Sequence, residues 1–190
     1  MQTTNTTSSW GWPARLLHWS IAAIILFQLG LGLYMTDFVS DVSEQFSLFQ
    51  LHKSWGFVVF CLAVARVAWR LLNRRSPALP AAMPRWQKAA SHASHGLLYL
   101  LILIMPLSGW VMSAASPTQD FLGIENRVFD LFAMPDPWVP GVAAIADAAE
   151  VVHAWSAWVM LAVLAVHVAA ALKHHLVDRD DILARMSWGR

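Results

Sequence analysis

The chain is short of charge, of cysteine and of tyrosine. Only 13% of its 190 residues are charged, where a soluble domain of this length carries about 25%. That shortfall excludes an ordinary soluble globular chain. A lone cysteine, Cys61, excludes a disulfide framework, a cysteine-ligated metal centre and the Cys-x-x-Cys-His motif of covalent haem attachment. There is no internal repeat, and no low-complexity stretch beyond the Thr/Ser-rich start. The opening MQTTNTTSSWGWP has no basic n-region, so no cleaved signal peptide is expected and the first apolar run stays in the protein.

What is present is apolar surface and tryptophan. Hydrophobic residues make up 57% of the chain and the mean hydropathy is +0.49, which points to an integral membrane protein with a single domain. Eleven tryptophans stand against two tyrosines, and several fall near the ends of apolar runs, as an aromatic belt requires. Four runs are each about long enough to cross a bilayer: residues 16–36, 54–72, 95–114 and 151–172. Residues 37–51 and 115–150 are then outer loops, and Pro106 predicts a kink in the third run. Within the second outer loop, Phe121, Phe129, Phe132 and Trp138 are expected to cap the bundle or lie in the interface.

The connections differ in charge. One side carries eleven basic residues against Asp178, Asp180 and Asp181, a net of +8; the other carries Lys53 and Arg127 against nine acidic residues, a net of −7. An excess of Lys and Arg marks the cytoplasmic side. Both termini and the 73–94 connection are therefore expected in the cytoplasm.

Histidines set the chemistry. The fourth run, VVHAWSAWVMLAVLAVHVAAAL, holds His153 and His167 fourteen residues apart. That is just short of four helical turns, so both project from nearly one face, ~21 Å apart along the axis. An ionisable residue in a span is a functional candidate because lipid makes it costly. For either histidine alone, a hydrogen bond to a neighbouring helix or a proton relay serves as well as a metal. Topology adds a coincidence that hydropathy does not require: His18 falls at the depth of His167, and His52 at the depth of His153. Two imidazoles at each of two depths suit the axial positions of two haems. Zinc suits them less, because a closed site needs four protein ligands. Of the remaining histidines, His95, His174 and His175 could line a cytoplasmic-side quinone pocket and relay its protons, or form a cationic fringe, the reading preferred for His92. Arg15, Arg70 and Lys173 could pair with haem propionates or simply snorkel to the interface.

The pieces Arg15–Trp19 (RLLHW), Leu51–Gly56 (LHKSWG), Ala65–Arg70 (ARVAWR), Ala93–Leu101, Pro106–Ser113 (PLSGWVMS), His153-Ala154-Trp155 and KHHLVDRDDILARM at the end occur in an order that resembles the bacterial cytochrome b561 family. The resemblance covers most of the chain. It implies an all-α integral membrane four-helix bundle enclosing two b-type haems, with His18, His52, His153 and His167 as ligands. It further implies a quinone-linked electron carrier. One branch of the family oxidises superoxide and reduces ubiquinone, while the membrane cytochrome subunits of hydrogenases and formate dehydrogenases are related.

Two functions follow. One is a haem oxidoreductase coupling an outer-face donor, superoxide among the candidates, to ubiquinone or another quinone. The other is a non-catalytic electron-transfer subunit or membrane anchor for a periplasmic redox protein. Superoxide is an anion, and a net of −7 on the outer segments opposes its approach, unless Lys53 and Arg127 dominate locally. A transporter is disfavoured by the lack of repeated or broken spans, and no nucleic-acid partner is expected.

Overall fold

A computed structural model describes residues 2–187. Arg190, counted above with the basic side, lies outside the described residues. Among the described residues, four helices are long and apolar enough to cross a membrane. Helix α1 is Trp12–Asp37 and starts with Pro13 in its first turn, where a missing N–H costs nothing. Helix α2 is Val42–Leu72, and α3 is Arg85–Ala114, which runs on through Pro106. After a five-residue α4, Pro117–Phe121, comes α5, Ala143–Lys173. It continues as a π-helical turn, His174–Asp178, that ends at Arg179 in the left-handed region (φ 53°), and a short α6, Ile182–Ser187, follows.

Each long helix overshoots its apolar run. The largest difference is at α2, which begins at Val42 rather than near residue 54 and so turns most of the expected first outer loop into helix. Asp41 starts it, its carboxylate accepting the Glu44 N–H at 2.8 Å. That N-cap supplies what hydropathy cannot register. His52 is therefore ten residues into a helix, and its backbone is held.

Packing runs α1 on α2, α2 on α3 and α3 on α5, whereas α1 and α5 make no substantial backbone contact. The core is an apolar layer at mid-height: Ile21, Ile25, Val59, Ala63, Leu101, Ile102 and Met160, the last 1% exposed. Leu26, Phe27, Val64, Leu100, Trp158 and Val166 point outward. A coat of this kind belongs against lipid, with backbone polar groups satisfied inside each helix.

The two ends are closed differently. At one, β1 (Arg127–Val128) pairs antiparallel with β2 (Phe132–Ala133), and this hairpin is stitched to α2. Ser54, 3% exposed, accepts the Phe129 N–H at 2.9 Å and also bonds the Arg127 carbonyl. The hairpin thus closes this end through backbone hydrogen bonds; Phe121 and Phe132 are exposed, while Phe129 sets its ring edge-on to Trp55. At the other end, buried Asn5 donates to the carbonyls of Asn73 and Arg75 and accepts the Gly11 N–H. There Trp19 bonds the Met186 carbonyl and Arg185 the Ala78 carbonyl. The N-terminal segment, the α2–α3 connection and α6 are thereby knitted together at one end of the bundle.

Candidate functional site

Two pairs of imidazoles face each other across the seam that α5 shares with α1 and α2. His18 on α1 meets His167 on α5 with ring centres 6.3 Å apart, and His52 on α2 meets His153 on α5 at 6.2 Å. Two metal–imidazole bonds of about 2 Å, plus about 1 Å from each nitrogen to its ring centre, place the ring centres of a bis-imidazole centre about 6 Å apart. Both pairs match that spacing. They also bridge helices whose backbones barely approach, α1 with α5 and α2 with α5. The arrangement fits a group coordinated in the seam between the paired rings.

The surroundings of the His52–His153 pair agree. His153 donates its Nδ1–H to the Met105 carbonyl at 2.9 Å, with Ser108 Oγ at 3.3 Å. This sets the tautomer and leaves the Nε2 lone pair free, the usual outer-sphere arrangement of a metal-bound histidine. Gly109 makes the room: a Cβ there would stand 3.0 Å from His153 Cε1. Opposite, Gln28, itself buried, bonds the His52 carbonyl at 2.8 Å and so ties α1 to α2 at this level. His52 Nδ1 is buried with no partner among the described residues. The residues fit a haem here.

The His18–His167 pair sits in a cavity of about 70 Å³ that opens into the seam and is lined also by Arg66, His95, Tyr99 and Met160. His95 donates Nδ1–H to the Ser91 carbonyl at 2.6 Å and holds its ring 5.2 Å from that of His167. It is the one member of the expected quinone cluster that reaches this cavity. His174 is held instead by Asp180 at 2.7 Å and Asp178 at 3.2 Å, and His175 is exposed. The three cations expected at propionates have other partners as well. Arg15 bonds the Ser187 carbonyl, Arg70 the carbonyls of Arg74 and Arg75, and Lys173 the Asp178 carboxylate at 2.6 Å. The cavity-lining residues that sequence reasoning passed over as site candidates are Arg66 and Tyr99. Arg66 carried a signal, a charge inside an apolar run, but it was absorbed into the count of cytoplasmic-side basic residues.

Comparison with known proteins decides the family. The model of the prokaryotic cytochrome b561 family matches residues 9–189. The chain belongs to that family. It is 34% identical over 186 residues to cytochrome b561 homolog 2 of Escherichia coli K12, covering 98% of this chain and 95% of that one. Cytochrome b561 homolog 1 of the same organism is 26% identical, covering 90% of this chain and 92% of the relative. A probable superoxide oxidase CybB of Yersinia pestis is 24% identical, covering 90% of each. Like the rest of the prokaryotic cytochrome b561 family, the chain is a haem-binding membrane protein of electron transport, and its four long apolar helices form the bundle expected of it.

Proposed function

We propose that this cytochrome holds two b-type haems, one between His18 and His167 and one between His52 and His153, and moves electrons across the bacterial inner membrane between an outer-face partner and membrane quinone. The observation that carries this reading is the pair of facing imidazole couples, 6.3 and 6.2 Å between ring centres, stacked along α5. A haem held by an imidazole on each side would supply one-electron exchange. The chain's own residues do the rest. α5 sets the two sites ~21 Å apart along its axis. Met160, midway between His153 and His167 and buried, joins the apolar layer that keeps water from running between them. The Met105 carbonyl orients His153. A pyridine-haemochrome assay against protein concentration is expected to give two haems per chain; one or none overturns the proposal.

Quinone access is supported by a lateral cleft of about 330 Å³ between α2 and α3, lined by Val67, Arg70, Leu71, Gly96, Leu100 and Leu103. Its wall includes Tyr99, which also lines the His18–His167 cavity. An apolar slot open to lipid, with a phenol beside the redox site, suits an isoprenoid quinone better than the histidine cluster read from the sequence.

The outer donor divides into two readings. The Yersinia relative's name supports superoxide. Against it, Arg127 is neutralised by Glu125 at 2.9 Å and Asp130 at 3.6 Å, which leaves Lys53, bonded to the Gln119 amide, without an acidic partner among the described residues. A single lysine within a net of −7 is a weak funnel for an anion. A periplasmic redox protein with a cationic face is the better match.

Orientation is proposed from charge: the end that gathers both terminal segments also gathers the basic residues, so it faces the cytoplasm. A reporter active only in the periplasm, fused after Arg190, is expected to be silent. A strong signal would reverse which haem faces which compartment.

A further inference from the structure

Arg66 lies inside α2 and faces inward, beneath the π face of Tyr99 at 5.5 Å. It donates to the Ala14 carbonyl at 3.1 Å and to His18 Nδ1 at 3.3 Å. Guanidinium has donors only, so His18 Nδ1 is the acceptor in that contact and a neutral His18 then carries its proton on Nε2. Iron bound at His18 Nε2 requires the opposite tautomer, with the proton on Nδ1. Two donors cannot share a bond. Filling the site therefore releases one arm of Arg66 in a half-buried, apolar setting, where a charge left unpaired is costly.

The described residues offer that arm no anion. Among the described residues no carboxylate pairs with Arg66, and none lines its cavity. The acids at this end are committed elsewhere: Asp178 to Lys173 and His174, Asp180 to His174, and Asp181 to Arg185 at 2.8 Å. Of the basic residues first expected at the propionates, Lys173 is paired with Asp178, while Arg15 and Arg70 bond only backbone carbonyls and, unlike Arg66, do not line this cavity. We infer that Arg66 is the counter-charge of the haem held by His18 and His167, exchanging its bond to His18 Nδ1 for a carboxylate of the haem's own propionate. Arg suits the role, since its planar fork matches a carboxylate and it stays charged when buried.

This inference rests on the proposal that His18 and His167 hold haem, and the test separates the two. The readout is the propionate-bending band in the resonance Raman spectrum of the holoprotein, which reports hydrogen bonding to the propionates and not electron transfer. In the unaltered protein, compared with a His52→Ala chain that keeps only the haem in question, this band is expected at its hydrogen-bonded position. A band at the free-propionate position would overturn the inference. Arg66→Met should shift the band or lose this haem, taking the content from two per chain to one. Arg66→Lys, which keeps the charge but not the fork, should keep two haems with a shifted band. Two haems and an unmoved band in both variants would equally overturn it. Should neither variant hold this haem, the position of the band in the unaltered protein decides. Failure of the underlying proposal looks different: the unaltered protein itself would lack haem between His18 and His167.

Discussion

Substituting the four histidines one at a time is expected to sort them into two groups. His18→Ala and His167→Ala should remove one and the same haem, and His52→Ala and His153→Ala the other. The reason is geometric. Each pair spans two helices with little backbone contact, and its rings stand at the spacing of a shared metal. Truncating one ring leaves a single axial bond and an unfilled cavity, so the haem is lost or turns high-spin. The other haem, ~21 Å away along α5, should keep its low-spin spectrum. Transmembrane electron flow should stop in all four variants, because either vacancy breaks the path. His95→Ala is the informative control. Its ring is closer to His167 than that of His18 is, 5.2 against 6.3 Å, but the shorter distance leaves no room for iron between the rings. That variant should retain both haems. Redox titration of the five variants reads the outcome. If His18→Ala and His52→Ala eliminated the same midpoint potential, or if His95→Ala eliminated one that His18→Ala spared, the pairing would be wrong.

Gly109→Val is expected to match the loss of a ligand without touching one. A Cβ at this position would lie 3.0 Å from His153 Cε1 and 3.2 Å from its Nδ1. Space for even one methyl group would require the ring to retreat. That ring cannot retreat freely, because its Nδ1–H is bonded to the Met105 carbonyl at 2.9 Å. The branched side chain of valine demands more than a few tenths of an ångström, so the imidazole should leave the position from which Nε2 can reach iron. The haem of the His52–His153 pair should be lost or become high-spin, with the other unaffected and the helix still formed. Gly109→Ala should fall between. Gly30→Ala, where a Cβ meets nothing within 4 Å, should leave both haems native. Reduced-minus-oxidised spectra of the three variants check this, and two native haems in Gly109→Val would show that His153 is not held where the geometry places it.

The two experiments probe features of different visibility in the amino-acid sequence. The class of protein was legible, because the length of an apolar run and the scarcity of charge within it are one-dimensional properties set by bilayer thickness. The grouping of histidines by depth was legible for a related reason. In a bundle whose helices all cross the same slab, position along the chain maps onto depth, and fourteen residues on α5 mean nearly one face. The family was legible in the order of short motifs, and the match over residues 9–189 agrees.

Lateral arrangement was not legible, since nothing in hydropathy says which helix neighbours which. Only the fold shows that α1 and α5 stand apart, so that His18 and His167 must bridge a gap. Only the fold brings His95 to that gap while His174, the residue directly after α5, is drawn to Asp178 and Asp180 by the π-helical turn. Helix ends were hidden too, because caps such as Asp41 act through single hydrogen bonds that carry helix beyond the hydrocarbon boundary. Arg66 shows the division most plainly. The sequence by itself determined that a charge lies inside a span. Which groups surround it, His18 Nδ1, an aromatic face and, among the described residues, no carboxylate, was decided by the packing of three helices, because the cost of a buried charge depends on neighbours that are distant in the chain.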